Sequence, residues 1–329
     1  MARITSKDVA REAGVSQTTV SFVLNDRSDQ TIPPETRQAV LAAAQRLGYV
    51  PFAAARTLRS GRSNVVLCVQ PDFPIAQAFE EFKITLSQVL GESGYACLFV
   101  HSAGSSKPLA ELWAHVQPAV VVAFGALPTP DAEPVRRAGI ALLDNIFEPE
   151  NRIVTGLDQR AVGRMQVQHL VEQGHERIGF GAGADPRERA FYEPRLLGAT
   201  DACRELGLDP PITVPVQYST ESARSAVETW TRDSRVTAVA AFNDLVALAI
   251  LAACRSDGVL VPDDLAIIGV DNLLAGSMTG PALTTIAINL TVPARSLSAK
   301  ILEVAGAAAA VPAGWDRQPI LTLVPRETT

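Results

Sequence analysis

Long apolar runs are missing from this sequence. No stretch reaches the roughly 18 uninterrupted apolar residues of a membrane span, so no span and no membrane partner are expected. The start, Met1 to Arg11, is polar, carries Arg3, Lys7 and Arg11, and leads into no apolar run, so no secretory signal is expected and the chain reads as cytoplasmic. Cysteine is scarce: Cys68, Cys97, Cys203 and Cys254 stand far apart with no CxxC pair. They read as buried thiols in a reducing compartment, not as disulfides or a metal site. Aromatic residues make up only 5%, so small aliphatic side chains must fill the cores. Catalytic signatures are missing as well. There is no GxSxG, HExxH or GxxxxGK[ST], and no catalytic residue is assigned. His169 and His175 straddle Gly174, which is poor metal geometry, and His101 and His115 have no ligand partners nearby; no metal or cofactor is expected. GFGAG, Gly179 to Gly183, lacks GxGxxG spacing and a following acidic partner, so it reads as a tight turn.

What is present is a soluble globular composition, 47% hydrophobic and 19% charged, over 329 residues, enough for two or three domains. The net charge of −6 hides an asymmetry. Residues 1–62 hold nine Lys and Arg against five Asp and Glu, whereas the rest holds 20 against 30. A small basic head on a large acidic body suggests that only the head meets a polyanion.

The head reads as three short helices. Ile4, Val9, Ala10, Ala13 and Val15 carry helical spacing, with Thr5 or Ser6 to cap the start and Gly14 to end it. Ser16 caps a second helix through Asn25 that turns Val20, Val23 and Leu24 inward and Gln17, Thr18 and Ser21 outward. Two helices joined by a tight glycine turn make a helix-turn-helix, whose second helix enters a major groove. Gln17 can bond both edge groups of adenine, and Thr18 an edge or a thymine methyl. Thr5, Ser16, Thr19 and Ser21 suit phosphates. Pro33 and Pro34 open a third helix that Gly48 stops.

The runs ITSKDVAREAGVSQTTVSFVLND (Ile4 to Asp26), PPETRQAVLAAAQRLGYVP (Pro33 to Pro51) and AARTLRSGRS (Ala54 to Ser63) closely resemble the lactose-repressor (LacI/GalR) family. The resemblance implies a homodimer on a near-palindromic operator, with residues 1–50 as the DNA-binding head and 51–63 as a hinge. That hinge would fold on DNA and pair with its twin in the minor groove. Leu58 matches the leucine that wedges between base pairs, and Ala55 and Arg56 match neighbouring groove contacts. Phe22, included among the DNA-facing residues, replaces the family's usual arginine, Phe52 its usual asparagine, and Pro33 its usual serine cap.

From Asn64 onward, short apolar runs alternate with amphipathic ones. Strands are expected at Val65–Val69, Ala96–Val100, Ala119–Phe124, Ile140–Leu143, Ile178–Phe180, Ile212–Val216, Ala238–Phe242 and Ala266–Val270, with helices between them, Glu193–Leu206 among these. The fold class is therefore a small all-α head plus an α/β body, 64–329, of two doubly wound parallel-sheet lobes. The runs Gly156–Phe180, Pro194–Leu208, Ala240–Ala253 and Asp263–Asn289 resemble the family's effector domain, which is similar to periplasmic binding proteins. Arg195 matches its ligand arginine and Asp271 its ligand aspartate. Asn243 ends a strand and can bind hydroxyls. Asp72, Phe73, Asp144, Arg189 and Tyr218 are further effector candidates, with Phe73 and Tyr218 able to stack on a ring. Asp158 and Asp244 read as helix caps.

The function expected is a DNA-binding transcriptional regulator, a repressor and not an enzyme, controlled by a small molecule held between two lobes. The effector is a sugar or sugar derivative; a purine or nucleoside is the alternative. A solute-binding protein with no DNA role and a sugar-metabolising enzyme on the same sheet type are the remaining readings, the latter without a catalytic constellation to support it. The absence of a leucine-heptad tail after Thr329 favours a dimer over a tetramer.

Overall fold

The computed structural model describes residues 4–24, 32–49, 63–70, 77–101, 109–146, 158–307 and 319–329. Ala55, Arg56, Leu58, Asp72 and Phe73 lie outside them. The chain divides into two units, Met1–Ser63 and Asn64–Thr329.

In the first unit, α1 (Ser6–Ala13), α2 (Gln17–Leu24) and α3 (Pro34–Leu47) enclose a small core of Val9, Ala10, Val20, Val23, Val40, Ala43 and Ala44. The local signals act as read. Asp8 accepts from the Thr5 N–H (2.9 Å) and hydroxyl (2.7 Å), and these bonds hold its carboxyl below the usual range. Gly14 (φ 67°) and Gly48 (φ 62°) close α1 and α3 in the left-handed region, where a Cβ is disfavoured. Seven small apolar residues make a thin core. The exposed Arg46–Glu12 pair (3.2 Å) ties α3 to α1 and adds little.

In the second unit the described residues form two sheets. One has the order β2-β1-β3-β4, all parallel: β1 (Val65–Gln70), β2 (Ala96–His101), β3 (Val120–Ala123) and β4 (Ala141–Leu143). Its helices are α4 (Gln77–Glu92), α5 (Leu109–Val116) and α6 (Thr129–Arg137). The other has the order β10-β9-β8-β7-β5-β6: β5 (Ile178–Gly183), β6 (Ile212–Val216), β7 (Ala238–Ala241), β8 (Ala266–Val270), β9 (Thr284–Ile288) and β10 (Leu321–Val324). Its helices are α7 (Gln159–Glu172), α8 (Arg189–Glu205), α9 (Thr220–Glu228), α10 (Asp244–Asp257) and the short α11 (Leu274–Ser277). The chain passes between the sheets more than once. After β9, helix α12 (Thr291–Ala305) packs Ala294, Leu297, Ile301 and Leu302 into the core of the four-stranded sheet. The chain then returns as β10, antiparallel to β9, so this lobe is not wholly parallel as expected.

Three other expectations are corrected. GFGAG is not a turn: Gly179 to Gly183 are the interior and end of β5, buried throughout. Its glycines make room for neighbours. A Cβ on Gly179 would stand 2.9 Å from the Trp230 indole nitrogen, and one on Gly183 would stand 2.4 Å from Glu188 Oε2. Trp230 is fully buried, and its indole N–H donates to the Ile212 carbonyl (2.9 Å). Second, α8 begins at Arg189, several residues before the expected start, and carries Pro194 inside it. Third, β9 was not expected as a strand, because TTIAI buries two threonines, Thr284 and Thr285, at an apolar strand's place. Their hydroxyls are satisfied by Thr329 and Asp244.

Helices α7 and α8 touch backbone to backbone. A Cβ on Gly163 would lie 1.8 Å from the Arg195 carbonyl oxygen, and one on Gly198 would lie 1.9 Å from that of Arg160. Glycine at both crossings lets α8 approach closely enough to fix where Arg195 stands.

Candidate functional site

Two places carry the expected functional residues. On the first unit, Ser16 Oγ accepts from the Thr19 N–H (3.0 Å) and meets the Thr19 hydroxyl (2.9 Å), capping α2. Gln17 and Thr18 stand exposed in its first turn. The Gln17 amide donates to the Ser6 hydroxyl (2.8 Å) and must turn outward to reach a base edge. Thr5 is exposed, whereas Thr19, Ser21 and Phe22 are half-buried. Exposed amide and hydroxyl groups on the first turn of a helix suit base-edge and phosphate contacts.

On the six-stranded sheet, the site lies where β5 is followed by β6 on one side and β7 on the other. Such a reversal leaves a crevice at the strands' carboxyl ends. Four consecutive strands contribute. Glu188 follows β5, Tyr218 follows β6, Asn243 follows β7 and Asp271 follows β8, while α8 supplies Arg195 and α7 supplies Gln159.

Arg195 is buried, with 5% of its surface exposed. Its Nε donates to Gln159 Oε1 (2.8 Å) and its Nη1 to the Phe242 carbonyl (2.6 Å), and its guanidinium lies 5.0 Å over the Phe242 ring. Tyr192 meets that ring edge-on at 6.0 Å. Burial lowers the pKa of Arg195, opposed by the charges of Asp271 and Asp244. Asp271 is half-buried, and burial raises its carboxyl to about 6 against the opposing pull of Arg195. A fixed cation and a carboxylate close enough to influence each other are the chemistry that suits a polar, hydroxyl-bearing ligand.

Asn243 is the N-cap of α10, its Oδ1 accepting from the Val246 N–H (2.9 Å), while its amide donates to the Tyr218 hydroxyl (3.0 Å). The Tyr218 hydroxyl in turn donates to buried Glu188. Burial pushes both groups above their ordinary pKa values. Tyr218 is thus held at its polar end while 44% of its surface stays open, which leaves a ring face for stacking.

The expected set is only partly assembled. Arg195, Asp271, Asn243 and Tyr218 come together. Arg189 instead pairs along α8 with Glu193 (2.5 Å), with 68% of its side chain exposed. Asp144 stands at the end of β4 in the other lobe, where it accepts from the Leu127 N–H (3.0 Å) and faces Arg136 at 3.8 Å. Asp158 caps α7 through the Arg160 N–H (3.0 Å), as read. Asp244 is no cap: Asn243 takes that place, and the Asp244 carboxylate turns into the sheet. Gln159, Glu188, Tyr192 and Phe242 were missed. The signal available for Gln159 was its place after the Asp158 cap; for Glu188, only tertiary proximity identifies it. A hollow of about 370 Å³, lined by Thr231, Arg235, Thr237 and Asp264, lies at the opposite, amino ends of β7 and β8 and holds none of these groups.

Comparison with known proteins bears on both places. Residues 5–51 match the family described as bacterial regulatory proteins, lacI family, and residues 167–329 match a periplasmic binding protein-like domain. The chain is 31% identical over 292 residues to the HTH-type transcriptional repressor CytR of Escherichia coli K12, covering 86% of this chain and 84% of that one. It is 30% identical over 302 residues to the HTH-type transcriptional regulator DegA of Bacillus subtilis, covering 87% and 86%. Among solved structures, a lac repressor dimer bound to operator and the anti-inducer ONPF superposes with a TM-score of 0.75 at 21% identity, covering 99% of each chain. A CelR–cellobiose complex gives 0.64 at 23%, covering 99% and 100%. At these identities the two structures speak for the fold. No helix among the described residues is long and apolar enough to cross a membrane. On this family match and these relatives, the chain belongs to the LacI family of DNA-binding transcriptional regulators.

Proposed function

We propose that this chain represses transcription as a homodimer on a near-palindromic operator, and that a sugar or sugar derivative bound beside Arg195 and Asp271 sets its grip. The observation that carries the effector reading is the pairing of a buried, doubly anchored Arg195 with half-buried Asp271 beside an open Tyr218 face. A pyranose offers hydroxyls to the first two and a flat apolar face to the third. In this reading Gln17 and Thr18 read bases, Ser16 and its neighbours bind phosphates, and Ala55, Arg56 and Leu58 meet the minor groove. The dimer is supported by apolar side chains bare in the single chain: Ile84 on α4, Leu98 on the edge strand β2, and Leu274 and Met278 on and beside α11.

A nucleoside or purine is the second reading. Tyr218 suits a base as well as a sugar, and CytR and a PurR of Photobacterium profundum, 28% identical, are among the relatives. A thermal-shift screen of the full chain against D-galactose, cellobiose, cytidine and guanine separates the two. A melting rise with the sugars alone supports the first, with cytidine or guanine alone the second, and with none overturns both. Operator binding is tested with palindromic and random duplexes at moderate salt. Equal affinity for both removes the sequence-specific role. Leu58→Ala is expected to weaken specific binding far more than non-specific binding; equal losses would remove the wedge.

A further inference from the structure

Asp271, the carboxylate of the proposed effector site, and Asn272 after it both hold positive φ, 103° and 52°, which is disfavoured for a residue carrying a Cβ. A backbone held so must be held by its surroundings. The surroundings are specific. The Asp271 N–H donates to the Ile286 carbonyl of β9 (2.9 Å). The Asn272 N–H donates to the Thr285 hydroxyl (3.3 Å), and that hydroxyl donates to Asp244 Oδ1 (2.7 Å). The Leu273 N–H donates to Asp244 Oδ2 (2.7 Å). Every N–H of the three-residue turn is thus taken by β9 or by Asp244, directly or through one hydroxyl.

Asp244 and Thr285 are fully buried, an expensive place for a carboxylate that makes no ion pair among the described residues. The sheet is built around it. A Cβ on Gly269 would stand 2.1 Å from Asp244 Oδ1, so that β8 residue leaves the carboxylate its space. From the other side, Arg326 of the C-terminal tail donates to Asn272 Oδ1 (2.6 Å) and to the Leu283 carbonyl (2.7 Å). The tail is itself bonded to β8, with the Ile267 N–H on the Thr328 carbonyl (2.8 Å).

We infer that Asp244, Thr285 and Arg326 are positioning residues that hold the 271–273 turn in its positive-φ form, and so aim the Asp271 carboxylate at the effector. The aim of Asp271 matters to function only on the effector-site reading above; the holding of the turn does not depend on it. One end of the device is the first residue of α10 and the other is the chain's tail, neither of which needs to touch the effector.

The test is a set of crystal structures of the full chain. Asp244→Ala removes both acceptors, and Thr285→Val removes the hydroxyl at nearly equal volume. In each, Asp271 is expected to leave positive φ and its carboxylate to move by more than about 0.5 Å, the tolerance of a working site. Asp244→Asn, which can still accept from Leu273 and donate to Thr285, and Thr285→Ser are expected to restore the wild-type turn. A role in stability alone would lower melting temperatures and leave Asp271 in place. Should Asp244→Ala fail to fold, Thr285→Val decides. Asp271 unmoved in Thr285→Val overturns the inference. Calorimetric titration of the same proteins with D-galactose, cellobiose, cytidine and guanine reads the function. A turn that moves, with at least a roughly tenfold loss for a compound that wild type binds, supports both readings. A turn that moves with no change in binding supports the positioning and sinks the effector site.

Discussion

In the first unit the side chains assigned to DNA, Ser16, Gln17 and Thr18, are consecutive and exposed at the start of one short helix. In the body the polar groups around Arg195 are buried or half-buried apart from the open side of Tyr218, most are hydrogen-bonded to a neighbour, and they are drawn from four strand ends and two helices. The difference is one of solvent. An exposed reader loses water to a base edge and regains an equivalent bond, so its removal costs binding and little else. A buried binder has no water to return to. Removing one member strands the others, so binding and stability fall together.

The largest expected effect tests the buried side. Burial raises the Asp244 carboxyl from 3.8 to about 7, against its bonds to Thr285 and Leu273. With the folded value above the unfolded one, the stabilising contribution is complete below pH 4 and is lost as pH rises to about 7, on the order of 4 kcal/mol at most. Asp244→Asn should therefore melt higher than wild type at pH 8, with the gap narrowing as pH falls and closing only below about pH 4. A gap of the same size at low and high pH would show that ionisation of this carboxyl is not its cause. Next comes Arg195→Ala. It leaves the Phe242 carbonyl, Gln159 and Asp271 without their cation, and effector affinity should drop roughly 100-fold while operator affinity stays within about threefold. An intact effector response would take Arg195 out of the site.

Gln17→Ala tests the exposed side. Operator affinity should fall by roughly 1–3 kcal/mol with unchanged melting and unchanged binding to random duplex. A parallel loss on random DNA would make Gln17 a phosphate contact. Gly163→Ala should cost about 1–3 kcal/mol of stability, because the added methyl meets the Arg195 backbone, and should weaken the effector without touching it. A melting curve like wild type would mean that α7 and α8 part easily. Smallest of all is Arg189→Ala. Its side chain is 68% exposed and paired to Glu193, so effector affinity should change by less than about twofold. A larger loss would bring Arg189 into the crevice.

The head was legible because its signals are local. Ser16 caps, Gly14 turns and Val20 and Val23 face inward within a dozen residues, and each acts as read. The apolar strands of the body were legible for the same reason, since β-branched runs bury in place. The misses share a cause. Gly179 to Gly183 read as a turn because glycine disfavours strands, yet Trp230 and Glu188 need the space. β9 was not among the expected strands because the partners that satisfy its threonines, Asp244 and the tail, are about 40 residues away. Glu188 carried no sign at all until Tyr218, 30 residues on, came to lie against it.

Element order, the basic head and the side chains presented by α2 follow from neighbours within a turn or two, where spacing alone sets which face is wet. Which acids are buried, which arginine is buried and which a surface pair, and which glycines stand in strands depend on contacts across the sheet. Those are decided by space and desolvation that exist only once distant segments have met, so only the folded chain settles them.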